Sequence, residues 1–459
     1  MNNAYLYRQM VKVAFNRTVY QELKEWQLRP LSKPLLLMGA RQIGKTTILK
    51  EFGENEYTDV VYLNLEKQQD IHTFFEGNKE PEKILERISL LYGKVILEEK
   101  TLIILDEIQE CKDALIALKY FAEEKPRVHI IGAGSLLGLS IGNDRSFPVG
   151  KVEFLQMFPL SFEEYLESAD AKQHKIYLHY LERSEIESLE KAFFNPLKEL
   201  HKEYLLIGGM PEVASSYISN RNLAEAQKIQ DQILQAYALD FAKHAEATTS
   251  TKIQQVWNSI PSQLARENKK FIFKLIKSGA RAREYEEAIQ WLIQAGLLYK
   301  VLNVSKPAIP LKAYADISAY KLYMFETSLL IRYSRLHPSA FIDGDKFFSE
   351  FKGSIAENYV AQSLKSISNR DLHYWTSDGK AEIDYIMEYK NHCIPIEVKL
   401  GDETKAKSLA VYKNKYKPVL RVRISNLNLK LTDDLLNIPL FYADKTQLFV
   451  DKALKLKSI

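Results

Sequence analysis

The sequence predicts a multidomain α/β protein, and three observations carry that expectation. At 459 residues the chain exceeds one ordinary hydrophobic core, so several domains are expected. Short apolar runs at 35–38, 102–105 and 127–131 read as buried parallel strands alternating with helical stretches. After position 160 the pattern turns helical and charged, and near the C-terminus it turns to strands of alternating polarity.

Composition bounds the function classes. A hydrophobic content of 46% and an aromatic content of 11% are globular values and exclude disorder as the main state. Lys and Arg total 63 against 59 Asp and Glu, a formal +4 that implies no partner, so a nucleic-acid reading must rest on local clusters. Cys111 and Cys393 give neither a metal knuckle nor a disulfide framework, which fits a reducing compartment. The N-terminal stretch mixes Arg and Lys into its apolar residues and lacks a signal-peptide core. No run reaches the roughly 18 apolar residues of a membrane span, so a cytoplasmic protein without membrane contact is expected.

The first strand, Leu35 to Met38, runs into "GARQIGKTT", which fits the P-loop pattern G-x-x-x-x-G-K-[ST] before a helix. Gly39, Ala40, Arg41, Gln42, Ile43, Gly44, Lys45, Thr46 and Thr47 are the candidate nucleotide-binding residues. Glycines let backbone N–H groups curl around phosphates at a helix N-terminus, where the dipole favours anions. The expected ligands are ATP and Mg²⁺, with Lys45 reaching the β- and γ-phosphates and the Thr46 hydroxyl holding the metal. A second strand, "TLIILDEIQE", ends in Asp106 for the Mg²⁺ shell and Glu107 to orient or deprotonate the attacking water. A third, "PRVHIIGAGSLLG", carries Ser135 just past its end. Its G-x-G is a weak dinucleotide signal, because the third glycine falls at Gly138.

These motifs, followed by "SFPVGKVEFLQMFPLSFEEYL", "YLLIGGMPEV", "VWNSIPSQLARENKKF", "YWTSDGKAEIDYI" and "IPIEVKLG", resemble in order a widespread prokaryotic AAA-type ATPase family. In that family the ATPase part is followed by a module of unknown function, and the resemblance covers nearly the whole chain. It implies ATP binding and hydrolysis, with Ser135 sensing the γ-phosphate, and leaves the substrate open. One departure is in "KLYMFETSLL", where Glu326 and Ser328 stand where relatives usually carry Asp and Gly, which is expected to loosen that turn.

Past Leu160, Ser161 with Glu164 forms a capping box, and "GGMPEV" marks a turn broken by Pro211, as in a helical lid on the nucleotide domain. Arg145 and Lys151 are the nearby cations that would serve as trans-acting fingers in a homo-oligomer. From Lys252, two helices and the strand "LLYKVLNV" resemble a winged helix. Between Arg266 and Arg283 seven cations (Arg266, Lys269, Lys270, Lys274, Lys277, Arg281, Arg283) face one acid, Glu267, with Phe271 and Phe273 interleaved, a pattern suited to tracking DNA phosphates.

Near the C-terminus "FKGSIAENYVAQSL" reads as a helix carrying Glu357, and "YWTSDGKAEIDYIMEY" with "CIPIEVKL" as a hairpin. Alternation puts Glu397 and Lys399 on one face, opposite Asp384. This is similar to the Asp…Glu-x-Lys pattern of PD-(D/E)XK nucleases, which implies Mg²⁺ held by Glu357, Asp384 and Glu397 and a catalytic Lys399. The segment 399–423 adds eight cations (Lys399, Lys405, Lys407, Lys413, Lys415, Lys417, Arg421, Arg423) against Asp402 and Glu403.

The expected architecture is therefore a P-loop AAA-type parallel sheet at 1–158 and a helical lid at 159–245. A winged-helix-like domain at 246–335 and a PD-(D/E)XK-like α/β domain at 336–459 would follow. The expected function is an Mg²⁺-dependent ATPase that couples nucleotide state to DNA binding or processing. The alternative is an ATP-dependent switch or scaffold whose nuclease-like domain is inactive.

Overall fold

Leu35–Met38, the apolar run before the glycine turn, is buried at every position and forms β1 of an all-parallel sheet. In the computed structural model, residues 13–134, 148, 150–244, 247–266, 269–337, 349–368, 371–377, 381–400 and 407–457 are described. Ser135, Arg145, Glu267, Asp402, Glu403 and Lys405 lie outside the described residues. The chain divides into two compact units, one of residues 16–158 with 294–296, the other comprising the remainder.

The first unit runs α1 (Thr18–Gln27), β1, α2 (Lys45–Glu56), β2 (Asp59–Asn64), α3 (Pro81–Tyr92), β3 (Thr101–Asp106), α4 (Lys112–Glu124), β4 (His129–Gly134) and β5 (Glu153–Gln156). The strand order is β2-β3-β4-β1-β5, so β4 separates the P-loop strand from the acidic strand. Met38 on β1 pairs with Gly134, and Asp106 on β3 pairs with Ala133, which brings both strand ends to the tip of β4. Leu36, Leu63, Ile103, Leu105, Ile108 and Ile130 build the core that fixes these strands. Burying each such side chain contributes about 1.5–3 kcal/mol.

The second unit opens with α5 (Phe162–Ala169), α6 (Ala171–Glu182), α7 (Lys191–Ile207), α8 (Pro211–Asn220), α9 (Leu223–His244), α10 (Ala247–Leu264) and α11 (Ala282–Gln294). Ser161 and Glu164 form the expected capping box, each side chain accepting the other's backbone N–H. Then come β6 (Leu298–Val304), β7 (Ala315–Met324), α12 (Thr327–Tyr333), α13 (Ser349–Ser368), β8 (Leu372–Ser377), β9 (Ala381–Tyr389), β10 (His392–Lys399), α14 (Lys407–Tyr416), β11 (Arg421–Ser425), β12 (Lys430–Thr432), β13 (Leu435–Pro439) and α15 (Thr446–Lys457).

All eight strands belong to one mixed sheet, ordered β12-β13-β11-β10-β9-β8-β6-β7. The strand expected for a wing, β6, pairs with β7 on one side and in parallel with β8 on the other, so it continues the C-terminal sheet. The stretch 374–389, expected as one strand, falls in two antiparallel strands, β8 and β9, and β9 forms the anticipated hairpin with β10.

The turn at Glu326 is not loosened. Glu326 is buried and caps α12, accepting the Ser328 N–H at 3.2 Å, while Gln362 on α13 donates to its other oxygen at 3.0 Å. Burial pushes its carboxyl up to about 7 against those hydrogen bonds.

Candidate functional site

Two sites take shape from the motifs, one in each unit. In the first, Gly44 at the N-cap of α2 has φ 95°, a left-handed conformation that favours glycine, and offers no side chain to cap the helix. No acid lies in the first turn of α2, so its N–H groups are left for an external anion. Gly39 is required by close approach, since a Cβ there would stand 2.5 Å from the Met157 carbonyl oxygen. Lys45 is buried across the loop, and its Nζ donates to the Gly39 and Ala40 carbonyls at 2.9 and 2.8 Å. Burial pushes its ammonium down to about 8, with Glu107 and Asp106 opposing that shift.

Thr46 and Asp106, the two residues expected on the metal side, are in contact. The Thr46 hydroxyl donates to Asp106 Oδ2 at 2.9 Å, joining segments 60 residues apart. Glu107 follows at φ 52° and ψ 46°, its N–H donating to Asp106 Oδ1 at 3.1 Å. Three further residues bear on this site. Tyr62 on β2 donates its hydroxyl to Asp106 Oδ2 at 2.6 Å. Gln109 Nε2 donates to Glu107 Oε2 at 2.6 Å and so fixes the carboxylate's orientation. Arg17 donates to the Ile43 and Phe158 carbonyls at 3.0 and 2.6 Å, strapping the loop.

The G-x-G on β4 has a packing cause. A Cβ at Gly132 would meet Ile108 at 2.7 Å, and one at Gly134 would meet Gln109 Oε1 at 2.4 Å. These glycines make room for the turn that follows Asp106-Glu107. Lys151 pairs with Glu123 at 2.9 Å.

In the second unit Lys399 interacts electrostatically with all three acids, Glu397, Asp384 and Glu357. Asp384 on β9 accepts the Val398 N–H at 2.7 Å, and Glu397 on β10 lies 3.4 Å from Lys399 Nζ. Glu397 is buried, and its Oε2 has no hydrogen-bond partner among the described residues. Glu357 on α13 is held otherwise, with Lys269 Nζ at 2.8 Å from Oε1 and the Tyr323 hydroxyl at 2.9 Å from Oε2. Lys321 on β7, 0% exposed, pairs with Glu382 and lies 4.0 Å from Glu357 Oε2. Burial alone would raise the Glu357 carboxyl, but Lys269 and Lys321 outweigh it and hold it below the ordinary value. Asp384 shifts upward through burial and the neighbouring Glu357 charge. Among the described residues no group of three His, Cys, Asp or Glu side chains is arranged to hold a metal ion.

The basic clusters are thinned by internal partners. Lys269 belongs to Glu357, whereas Arg266, Lys270, Lys274, Lys277, Arg281 and Arg283 are exposed. In the second cluster Arg423 is buried and donates to Asn437 at 2.8 Å, and Arg421 and Lys413 both pair with Asp434. Lys399, Lys407 and Lys417 remain exposed. Lys321 has a visible signal in the sequence, a lone lysine in the apolar and aromatic run "AYKLYMF".

Residues 31–166 match the family model described as an AAA domain. Residues 198–340 and 352–441 match two models described as domains of unknown function, DUF8612 and DUF4143. No curated protein matches the chain. Similar solved structures include a Walker-type ATPase of Pyrococcus abyssi, 13% identical, covering 70% of this chain and 96% of that one, with a TM-score of 0.44. The Aeropyrum pernix ORC1 protein in complex with DNA is 12% identical over 74% of this chain and 96% of its own, TM-score 0.32. The Thermotoga maritima RuvB Holliday junction branch migration motor is 15% identical over 65% and 94%, TM-score 0.28. These are distant likenesses. The match of residues 31–166 to an AAA-domain model and the P-loop geometry agree, and the stretches that follow match models of unknown function.

Proposed function

We propose that the chain is an Mg²⁺-dependent ATPase that couples its nucleotide state to nucleic-acid binding. The observation that carries the reading is the 2.9 Å contact between Thr46 and Asp106, which gathers two oxygens suited to a hard cation beside the phosphate loop. The site fits the ligand, with a loop kept free of side-chain bulk at Gly39 and a lysine bound only to backbone carbonyls. When bound, Mg²⁺–ATP supplies the phosphoanhydride to be broken. Lys45 would exchange its two carbonyl acceptors for phosphate oxygens, while Thr46 and Asp106 would hold the metal's shell. Glu107, oriented by Gln109, takes the proton from the attacking water.

Within this reading the chain divides at 1–158, 159–245, 246–335 and 336–459. The order α10, α11, β6 supports a winged-helix-like third part whose strands β6 and β7 join the C-terminal sheet, and the electrostatic contact of Lys399 with Glu357, Asp384 and Glu397 supports a PD-(D/E)XK-like fourth. The exposed cations between Arg266 and Arg283 are the proposed phosphate contacts. The test is ATP turnover by the full chain with and without DNA. Wild type should hydrolyse ATP at a DNA-dependent rate and Lys45→Ala should neither bind nor hydrolyse it. Turnover indifferent to DNA, with no DNA binding at low salt, favours a nucleotide switch that scaffolds other partners.

A further inference from the structure

We propose that Lys321 is a built-in cation that takes the place of a divalent metal in the C-terminal acid cluster, which makes that cluster metal-free and non-cleaving. The acids alone would suggest the opposite. Glu357, Asp384 and Glu397 come from three segments and are all at least nine-tenths buried, so they need positive charge beside them.

The structure supplies that charge from within. Lys321 has no exposed surface, pairs with Glu382, stands 4.0 Å from Glu357 Oε2 and lies 4.8 Å from the centre of the Tyr374 ring. It also faces Asp384 electrostatically. Lys269 reaches Glu357 from the other side at 2.8 Å, with only 11% of its side chain exposed. Both Glu357 oxygens are thus occupied, one by Lys269 and one by the Tyr323 hydroxyl at 2.9 Å. At Glu397, Lys399 and Arg423 supply the remaining positive charge.

A divalent ion among these acids would press against an ammonium that cannot swing out to solvent, because Lys321 is enclosed on β7. Oxygen ligands that are already hydrogen-bonded to ammonium and phenol groups would first have to be freed. The cluster is neutral enough without metal, and although Glu397 Oε2 has no hydrogen bond among the described residues, one such oxygen is not the open set from which a metal-activated water could attack phosphorus. The role left to this face is binding through the exposed Lys399, Lys407 and Lys417.

The inference is independent of the ATPase reading, because it is tested without nucleotide. Mn²⁺ binding to the full chain is followed by electron paramagnetic resonance in a Lys45→Ala background, alongside thermal unfolding in EDTA and in millimolar Mn²⁺. With Lys321 present, the Mn²⁺ isotherm should be unchanged by Asp384→Ala, the midpoint should be equal in EDTA and Mn²⁺, and plasmid DNA should not be nicked. Lys321→Met should unfold several degrees lower in EDTA and recover in Mn²⁺, since the vacated charge can then be supplied by the metal. If Lys321→Met fails to fold, Lys321→Arg and the Asp384→Ala comparison still decide the matter. Stoichiometric Mn²⁺ held by the Lys321-containing protein and released by Asp384→Ala would overturn the proposal, as would a Lys321→Met protein that gains no Mn²⁺ affinity.

Discussion

Lys45 and Lys321 are both buried lysines, and their surroundings assign them opposite work. Lys45 is met by two backbone carbonyls, and burial lowers its ammonium to about 8. For Lys321 burial is outweighed by Glu357, Glu382 and Asp384, which hold it above the ordinary lysine value. An ammonium hydrogen-bonded to carbonyl dipoles gains by exchanging them for phosphate charge, so it is available to a ligand. One locked to carboxylates has already used that attraction inside the fold. The two units thus differ in kind, with an open charge in one and a closed charge balance in the other.

The largest effect should separate the lysines by stability. Lys321→Met leaves buried acids uncompensated and is expected to cost about 3–5 kcal/mol of unfolding free energy. Lys45→Ala loses two hydrogen bonds to carbonyls and should cost about 1 kcal/mol while abolishing ATP binding. Chemical denaturation of both variants measures the contrast, and equal losses would break it.

A buried acid outside both sites gives the next effect. Glu326 is raised to about 7 when folded, above its unfolded value of 4.5. The folded state therefore holds its proton where the unfolded state has lost it, and stability falls as pH rises from 4.5 towards 7. The loss should be on the order of 3 kcal/mol, fully developed above about pH 7. Denaturation at about pH 4 and about pH 8, on either side of that window, should show the decline in wild type and a flatter profile in Glu326→Gln. Parallel profiles would remove Glu326 as its source.

Gln109→Leu should keep ATP affinity and lower kcat by about ten-fold, the worth of one hydrogen bond to a charged group. Steady-state kinetics with a KM unchanged from wild type would support orientation of Glu107 by Gln109. A changed KM with normal kcat would instead make Gln109 a part of the binding loop.

The smallest effect concerns the basic face. Neutralising Lys270, Lys274 and Lys277 should flatten the salt dependence of DNA affinity by up to about 0.9 for each phosphate they neutralise. Lys269→Ala should leave that slope alone and lower stability, because its partner is Glu357. A slope that responds to Lys269 alone would reverse this assignment.

The same contrast explains which parts are legible in the sequence. The P-loop is legible because its residues are consecutive and the helix start dictates their geometry, and "LDEIQ" is legible because a buried strand must end where its acids begin. Tyr62 and Gln109 carry no such signal, since their role depends on which strands become neighbours. At the C-terminus Glu357, Asp384 and Glu397 are visible as acids and Lys321 as a lone lysine in an apolar run, but the pairing between them is not. Lys321 lies 36 positions before Glu357 on a strand whose place in the sheet no local pattern announces. Lys269 reads as a surface cation because its neighbours Lys270 and Lys274 are exposed, and only the fold brings it to Glu357.

The most direct test of the account is Glu107→Gln, assayed for ATP binding with a fluorescent analogue and for turnover with Mg²⁺ in the same preparation. The substitution keeps the size of the side chain and removes only its capacity to take a proton. The account requires wild-type nucleotide affinity together with turnover reduced by about 10²–10⁴-fold. Hydrolysis at the wild-type rate would contradict it and move water activation to another residue.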